Sequence, residues 1–110
     1  MENHCNITFT REIPLRYETD VFIAGGGPAG VAAALAAAYN GASVYLAGGL
    51  SCFGGAGTAG LVPAFMQFTN GVDFLAGGIG QKILNKLRAE GGNDPHKGIS
   101  IKVEVLKRVY

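Results

Sequence analysis

The chain has 110 residues, which is enough for one domain with its own core. Hydrophobic residues make up 48% of it and charged residues 15%, a balance that excludes an intrinsically disordered chain. The formal net charge is +1 and no basic run occurs, so neither a nucleic acid nor a membrane surface is predicted as a partner.

The cysteines and the uncharged middle of the chain indicate its cellular setting. Cys5 and Cys52 are far apart and form no C-x-x-C pair, which favours a reduced, cytoplasmic protein. No Asp, Glu, Lys or Arg occurs in residues 21–72. Pro28 and later polar residues interrupt this stretch, so a membrane span is not expected. Burial in an α/β core explains the missing charges, since strands of a parallel sheet are covered on both faces.

The first half of the chain follows a strand–helix–strand pattern. Residues 7–13 alternate imperfectly and stop at Pro14, which predicts an edge strand or a docked arm. Residues 21–24 are predicted as the first core strand, and residues 31–39 as a helix that ends at Asn40 and Gly41. Residues 43–47 then form the second strand, at about the distance that a right-handed βαβ crossover needs.

The second half is predicted to be a glycine-rich loop followed by helices. Residues 48–60 contain too much glycine for regular structure, and the state of residues 61–68 stays open. Residues 76–90 show the spacing of an amphipathic helix, for which Asp73 is the predicted cap. After a loop at residues 93–98, residues 102–110 start another helix; the predicted buried stripes are Ile79, Ile83, Leu84 and Leu87 in the first helix and Val103, Leu106 and Tyr110 in the second.

A glycine motif joins the first strand to the first helix. Residues 20–30 read as a buried strand, a G-x-G-x-x-G turn and a helix start, which is the context in which this motif binds a diphosphate. Gly25 should make the tight turn, Gly27 should let the backbone approach the phosphates, and Gly30 should let the helix lie close to the strand. Pro28 suits the first helical turn, where its missing N–H is tolerated.

Residues 20–46 and 51–62 resemble the N-terminal region of FAD-dependent oxidoreductases of the glutathione-reductase-like FAD-binding superfamily. The resemblance implies an α/β fold, a partial Rossmann-like βαβ FAD/NAD(P)-binding unit with a parallel sheet and additional helices. We expect residues 1–110 to be the N-terminal part of a larger FAD-binding domain, because so small a sheet is not stable by usual standards. The cofactor-binding positions that the resemblance implies are Gly25, Gly27, Pro28, Ala29, Gly30, Gly48, Gly49, Gly54, Gly55 and Thr58.

Two positions depart from the family pattern. Tyr39 stands where a basic residue commonly closes the helix, a change of only about 0.3–1 kcal/mol, and the larger departure lies at the end of the second strand. Members place Glu at the end of the second strand to bind the adenosine ribose, and here that position is Gly48. Losing a charge-assisted hydrogen bond costs about 1.5–3 kcal/mol, or roughly ten- to a hundredfold in affinity. An NAD site would need the same acid, and an NADP site would need a nearby Arg to bind the 2′-phosphate. Residues 47–53 contain neither. FAD therefore follows from the resemblance and not from a ribose-binding residue.

These features predict the FAD-binding N-terminal region of a flavin-dependent oxidoreductase, with FAD and a small-molecule substrate of unknown identity as partners. The alternative is a non-catalytic or vestigial nucleotide-binding module, because Gly48 replaces the acid. No catalytic residue is assigned, and the chain alone is expected to have no turnover. The spacing of His4, Cys5, Cys52 and His96 does not predict a metal site. A third hypothesis is self-association through uncovered apolar surface.

Overall fold

A computed structural model of the chain describes residues 5–94 and 100–110. It shows a mixed α/β arrangement with a parallel sheet, consistent with a partial Rossmann-like unit. The predicted loop at residues 93–98 lies largely outside the described residues, as do His4 and His96. The elements are β1 (Val21–Ala24), α1 (Pro28–Tyr39), β2 (Val44–Ala47), a short 3-10 helix (Gly55–Gly57), α2 (Ile79–Ala89) and α3 (Val103–Val109).

The two strands pair in parallel and in full register. Val21 lies opposite Val44 at one end and Ala24 opposite Ala47 at the other. The pairing continues beyond the strands, because the Gly25 N–H donates a hydrogen bond of 2.7 Å to the Ala47 carbonyl. Parallel pairing brings the carboxyl ends of both strands to the same edge of the sheet, where the glycine turn and the glycine-rich loop begin.

Helix α1 connects the strands and covers one face of the sheet. It ends as predicted: the Asn40 side chain donates to the Ala36 carbonyl at 2.8 Å, and Gly41 takes the left-handed conformation at φ +86°. The helix is mostly alanine, and Val31 is its buried side chain. Because alanine side chains are small, α1 contacts both strands and also α2.

The opposite face of the sheet is open within the described part of the chain. The Phe22 side chain is 63% exposed, and the Tyr17 ring stacks on Tyr45 with ring centroids 4.7 Å apart. The expected coverage of the strands on both faces is therefore not found. The physical reason is that α1 supplies the layer on one side only, while residues 5–19 form neither a helix nor a strand and expose Ile7, Phe9, Ile13 and Leu15.

The main buried cluster lies between α2 and α3. Leu87, Ile101 and Leu106 form it, and the half-buried Phe65 and Ile83 pack against it. Residues 61–68 contain no helix or strand, although Ala64 forms a single bridge with Ser100. In the described residues, no helix is both long enough and apolar enough to span a membrane.

Helix α2 begins three residues later than predicted, and Asp73 does not cap it. The helix is preceded by Gly78, whose φ of +64° breaks the helical conformation. Asp73 instead belongs to a separate turn, in which its backbone N–H donates to the Asn70 side chain at 2.7 Å. The prediction failed because that turn, closed by Asn70 and Gly71, ends before the helix starts.

Candidate functional site

The glycine turn has the geometry that its sequence predicts. Gly25 has φ +131°, a conformation that side chains rarely adopt. A Cβ atom on Gly30 would lie 1.8 Å from the Gly25 carbonyl oxygen, so only glycine allows α1 to start this close to the strand. The turn therefore sets both the direction of the chain after β1 and the distance between helix and sheet.

The start of α1 presents unpaired backbone donors. Gly27 is the N-cap residue, extended at φ −73°, and no side chain caps the helix. Within the described residues, the Ala29 and Gly30 N–H groups have no hydrogen-bond acceptor, whereas the Val31 N–H donates to the Gly27 carbonyl at 3.0 Å. Such a helix end carries about half a positive charge. This is the donor arrangement that suits a phosphate group.

Open space surrounds the middle of the turn. A Cβ atom added to Gly27 would have no atom within 4 Å. A ligand can therefore approach the backbone here, and a side chain at this position would take up that space. The observation fits the predicted role of Gly27 in a diphosphate site.

A second glycine pair lies against the turn. The Gly54 N–H donates to the Gly26 carbonyl at 2.8 Å. A Cβ atom on Gly55 would lie 3.2 Å from the Gly27 Cα and 3.4 Å from Pro28 Cδ. Both residues of the pair have positive φ, +102° for Gly54 and +55° for Gly55. The structure thus joins two segments that are distant in sequence into one wall of glycines.

Thr58 supports this wall from behind. Its side chain is completely buried, and its hydroxyl donates to the Phe53 carbonyl at 2.6 Å. A longer contact of 3.3 Å joins the same hydroxyl to the Gly55 carbonyl. Thr58 therefore has no exposed atom to offer a ligand, and its geometry suits a residue that holds the loop in place.

Gly48 and Gly49 follow β2 at the same edge of the sheet. A Cβ atom on Gly48 would lie 3.5 Å from both the N and the Cα of Gly26, which is ordinary van der Waals contact. Gly49 has open space around it. The position predicted to have lost the ribose-binding acid is thus next to the glycine turn, and its backbone would accept a side chain.

Two aromatic side chains complete the site and were not predicted as part of it. A Cβ atom on Gly26 would lie 2.6 Å from the Phe53 ring. A Cβ atom on Gly54 would lie 2.6 Å from the Tyr110 ring. Burial raises the pKa of the Tyr110 hydroxyl above its usual value. Neither residue has a local sequence signal. The sequence feature that could have indicated them is the glycine opposite each ring, Gly26 for Phe53 and Gly54 for Tyr110, because each makes room for a ring.

These elements form a βαβ unit consistent with a partial Rossmann-like fold: two parallel strands, the connecting helix and a glycine turn at the shared edge. Comparison with protein families sharpens this result. Residues 20–110 match the family of FAD dependent oxidoreductases, and the chain therefore belongs to that family. The family implies FAD as the cofactor of its members. Comparisons with curated proteins and with solved structures gave no match.

Proposed function

We propose that this chain is the FAD-binding N-terminal region of a flavin-dependent oxidoreductase of the glutathione-reductase-like superfamily. One observation carries the proposal: the open, uncapped start of α1 at Gly27, in a chain of the FAD dependent oxidoreductase family. Unpaired N–H groups at a helix start, with glycines in front of them, are what a diphosphate requires.

Each part of the site has a role in this proposal. The Ala29 and Gly30 N–H groups donate to the diphosphate, and Gly25, Gly27 and Pro28 set the turn that exposes them. Gly54 and Gly55 form the opposite wall, which Thr58 holds from behind. Gly48 and Gly49 border the adenosine side. When bound, FAD supplies electron transfer between a substrate and an acceptor, while the protein binds and orients it.

A pair of glycine substitutions tests the site. Gly27→Ala has a compatible backbone and no neighbour within 4 Å, so it should fold normally while its methyl group enters the space for the diphosphate. Gly77→Ala is the matched control, since Gly77 also has no neighbour within 4 Å. In a flavin fluorescence titration, we expect Gly27→Ala to weaken FAD binding by about tenfold or more, as loss of roughly 1.4 kcal/mol would. Equal affinities in both variants would contradict the proposed site.

A non-catalytic or vestigial nucleotide-binding module is the second candidate. It is favoured by one observation, the absence of any acid in residues 47–53. Absorbance in the flavin bands distinguishes the two. A purified chain that is yellow, or becomes so with added FAD, supports the flavin-binding function. A colourless chain that takes up no FAD but still binds ADP supports the module.

The open face of the sheet suggests self-association as an additional property. Phe22 is 63% exposed and Tyr45 36% exposed on that face, and the exposed side chains of Ile13 and Leu15 line the same groove. Contiguous exposed apolar surface of this kind is typical of an interaction site. Sedimentation at several concentrations tests the idea, and a folded chain that stays monomeric throughout would argue against it.

A further inference from the structure

The Phe53 ring fills the space between the glycine turn and the end of β2. A Cβ atom on Gly26 would lie 2.6 and 3.1 Å from the ring atoms Cδ1 and Cε1. A Cβ atom on Gly48 would lie 3.6 Å from Cε1. The missing side chain of Gly26 makes room for the ring, and Gly48 lies in ordinary contact distance of it. The Phe53 residue remains 39% exposed, so part of it is accessible from solvent.

The fold holds this ring in place from both directions along the chain. The residue after it, Gly54, donates its N–H to the Gly26 carbonyl at 2.8 Å. The Phe53 carbonyl accepts a 2.6 Å hydrogen bond from the hydroxyl of Thr58, which is completely buried. Phe53 is therefore held at its backbone on both sides, by Thr58 and by the Gly26 contact of Gly54. Its backbone is attached to the same turn that presents the unpaired N–H groups.

The loop that carries the ring lacks charge. Residues 47–53 contain no Asp, Glu, Lys or Arg. No charged side chain of this loop is thus available to bind the hydroxyl groups of a sugar. An aromatic ring offers another kind of contact, because a nucleobase stacks on an aromatic side chain through its face.

We propose that Phe53 determines specificity for the nucleoside end of the dinucleotide, by contacting the adenine base in place of a carboxylate that binds the ribose. The proposal rests on the proposed function, since the glycine turn must hold the diphosphate beside the ring. It has a distinct consequence. Recognition depends on the base and not on the sugar hydroxyls, so ADP and 2′-deoxy-ADP bind with equal affinity.

Three ligands and three variants of the full chain test this. Calorimetric titrations of ADP, 2′-deoxy-ADP and inorganic pyrophosphate separate the contributions of base, sugar and phosphates. Phe53→Leu keeps an apolar side chain and should weaken ADP binding by about tenfold, with pyrophosphate binding unchanged. Phe53→Trp should retain ADP affinity. Phe53→Ala should behave as Phe53→Leu does, and circular dichroism confirms that each variant is folded.

The tryptophan variant also gives a spectroscopic signal. The natural chain has no tryptophan, so the emission of Phe53→Trp reports on that single position. We expect ADP to change this emission and pyrophosphate to leave it unchanged. A structural role of Phe53 alone would produce no such ligand-specific signal.

The possible failures are distinguishable. If the natural chain binds neither ADP nor pyrophosphate, the proposed function fails and this inference with it. If it binds both equally, or if Phe53→Leu leaves ADP affinity unchanged, the phosphate site stands and the role of Phe53 is refuted. Tighter ADP binding by Phe53→Leu would show that the ring obstructs the site, which also overturns the inference. A preference for ADP over 2′-deoxy-ADP would show that the sugar is recognised after all.

Discussion

Asp20 and Ser43 join the starts of β1 and β2 through a single carboxylate oxygen. Asp20 Oδ2 accepts hydrogen bonds from the Ser43 backbone N–H at 2.8 Å and from its hydroxyl at 2.7 Å. The Asp20 N–H donates in return to the Ser43 hydroxyl oxygen at 3.0 Å. Side chains thus connect the strands at one edge of the sheet, whereas at the other edge the glycine turn leaves backbone donors unpaired.

The first prediction concerns the pH dependence of this connection. Hydrogen bonds from the Ser43 hydroxyl and then from its backbone hold the pKa of Asp20 below its usual value. A lowered pKa in the folded state means that the carboxylate stabilises the fold fully above its unfolded pKa of about 4, and that this stabilisation is lost as the pH falls through the lower, folded value. Asp20→Asn should therefore be less stable than the natural chain at pH 7, with a difference that shrinks under acid conditions.

Urea unfolding at several pH values measures this difference. Ser43→Ala removes the hydroxyl donor but keeps the backbone donor, so it should show part of the same loss of stability at pH 7. A difference between Asp20→Asn and the natural chain that stays constant from pH 7 into the acid range would contradict the predicted role of the charge.

The second prediction concerns Gly30. A Cβ atom there would lie 1.8 Å from the Gly25 carbonyl oxygen, so Gly30→Ala must displace either the helix or the turn. We expect a loss of about 1–3 kcal/mol in the free energy of unfolding, the range for overpacked positions. Denaturant titration measures it, and FAD binding should weaken as well. Gly77→Ala serves again as the unhindered control. Equal unfolding midpoints for the two variants would contradict the close contact between Gly30 and the Gly25 carbonyl.

The third prediction concerns Gly48. A side chain at this position meets ordinary contacts of 3.5 Å, so Gly48→Glu should fold and place a carboxylate beside the turn. If this is the ribose end of the site, FAD affinity should rise by roughly ten- to a hundredfold. Gly48→Gln is the control of equal size, and it should give a smaller gain because it lacks the charge. Unchanged affinity in the Glu variant would mean that the ribose lies elsewhere.

The fourth prediction concerns Thr58. Thr58→Val keeps the shape but leaves the Phe53 carbonyl without the hydroxyl that donates to it at 2.6 Å. We expect destabilisation of about 1–3 kcal/mol in thermal or urea unfolding, as is typical when a hydrogen-bonded partner is left unsatisfied. Thr58→Ser retains the hydroxyl and should recover most of the hydrogen-bond contribution. A valine variant at least as stable as the serine variant would rule out this account of the loop.

The strand–helix–strand unit was predictable because its determinants are local. A short apolar run, glycines at fixed spacing, Pro28 in the first turn and Asn40–Gly41 at the end identify β1, α1 and β2 from residues 20–47. The start of α2 was missed because Asn70 and Gly71 close a turn of their own, and apolar periodicity does not show where that turn ends. The open face of the sheet could not be read from composition, since an uncharged strand looks the same whether covered or exposed.

The site was predictable only in part, for a related reason. The motif identified the glycines that line it, but not which residues face them. Phe53 lies against Gly26 and Gly48, and Tyr110 against Gly54, through contacts between segments far apart in the chain. Thr58 was expected at the ligand, yet its burial became evident only from how the loop folds back on itself.

The contact between Tyr110 and Gly54 links α3 to the wall of glycines beside the first turn. The ring lies over Gly54, and the Gly54 N–H is bonded to Gly26 in the first turn. Local unfolding of α3 would uncover this peptide and loosen the wall of the proposed phosphate site. A ligand that binds only the closed form must therefore make α3 open more rarely. The fraction of chains with ligand bound at the turn and the hydrogen-exchange protection of α3 are then two measurements of one equilibrium.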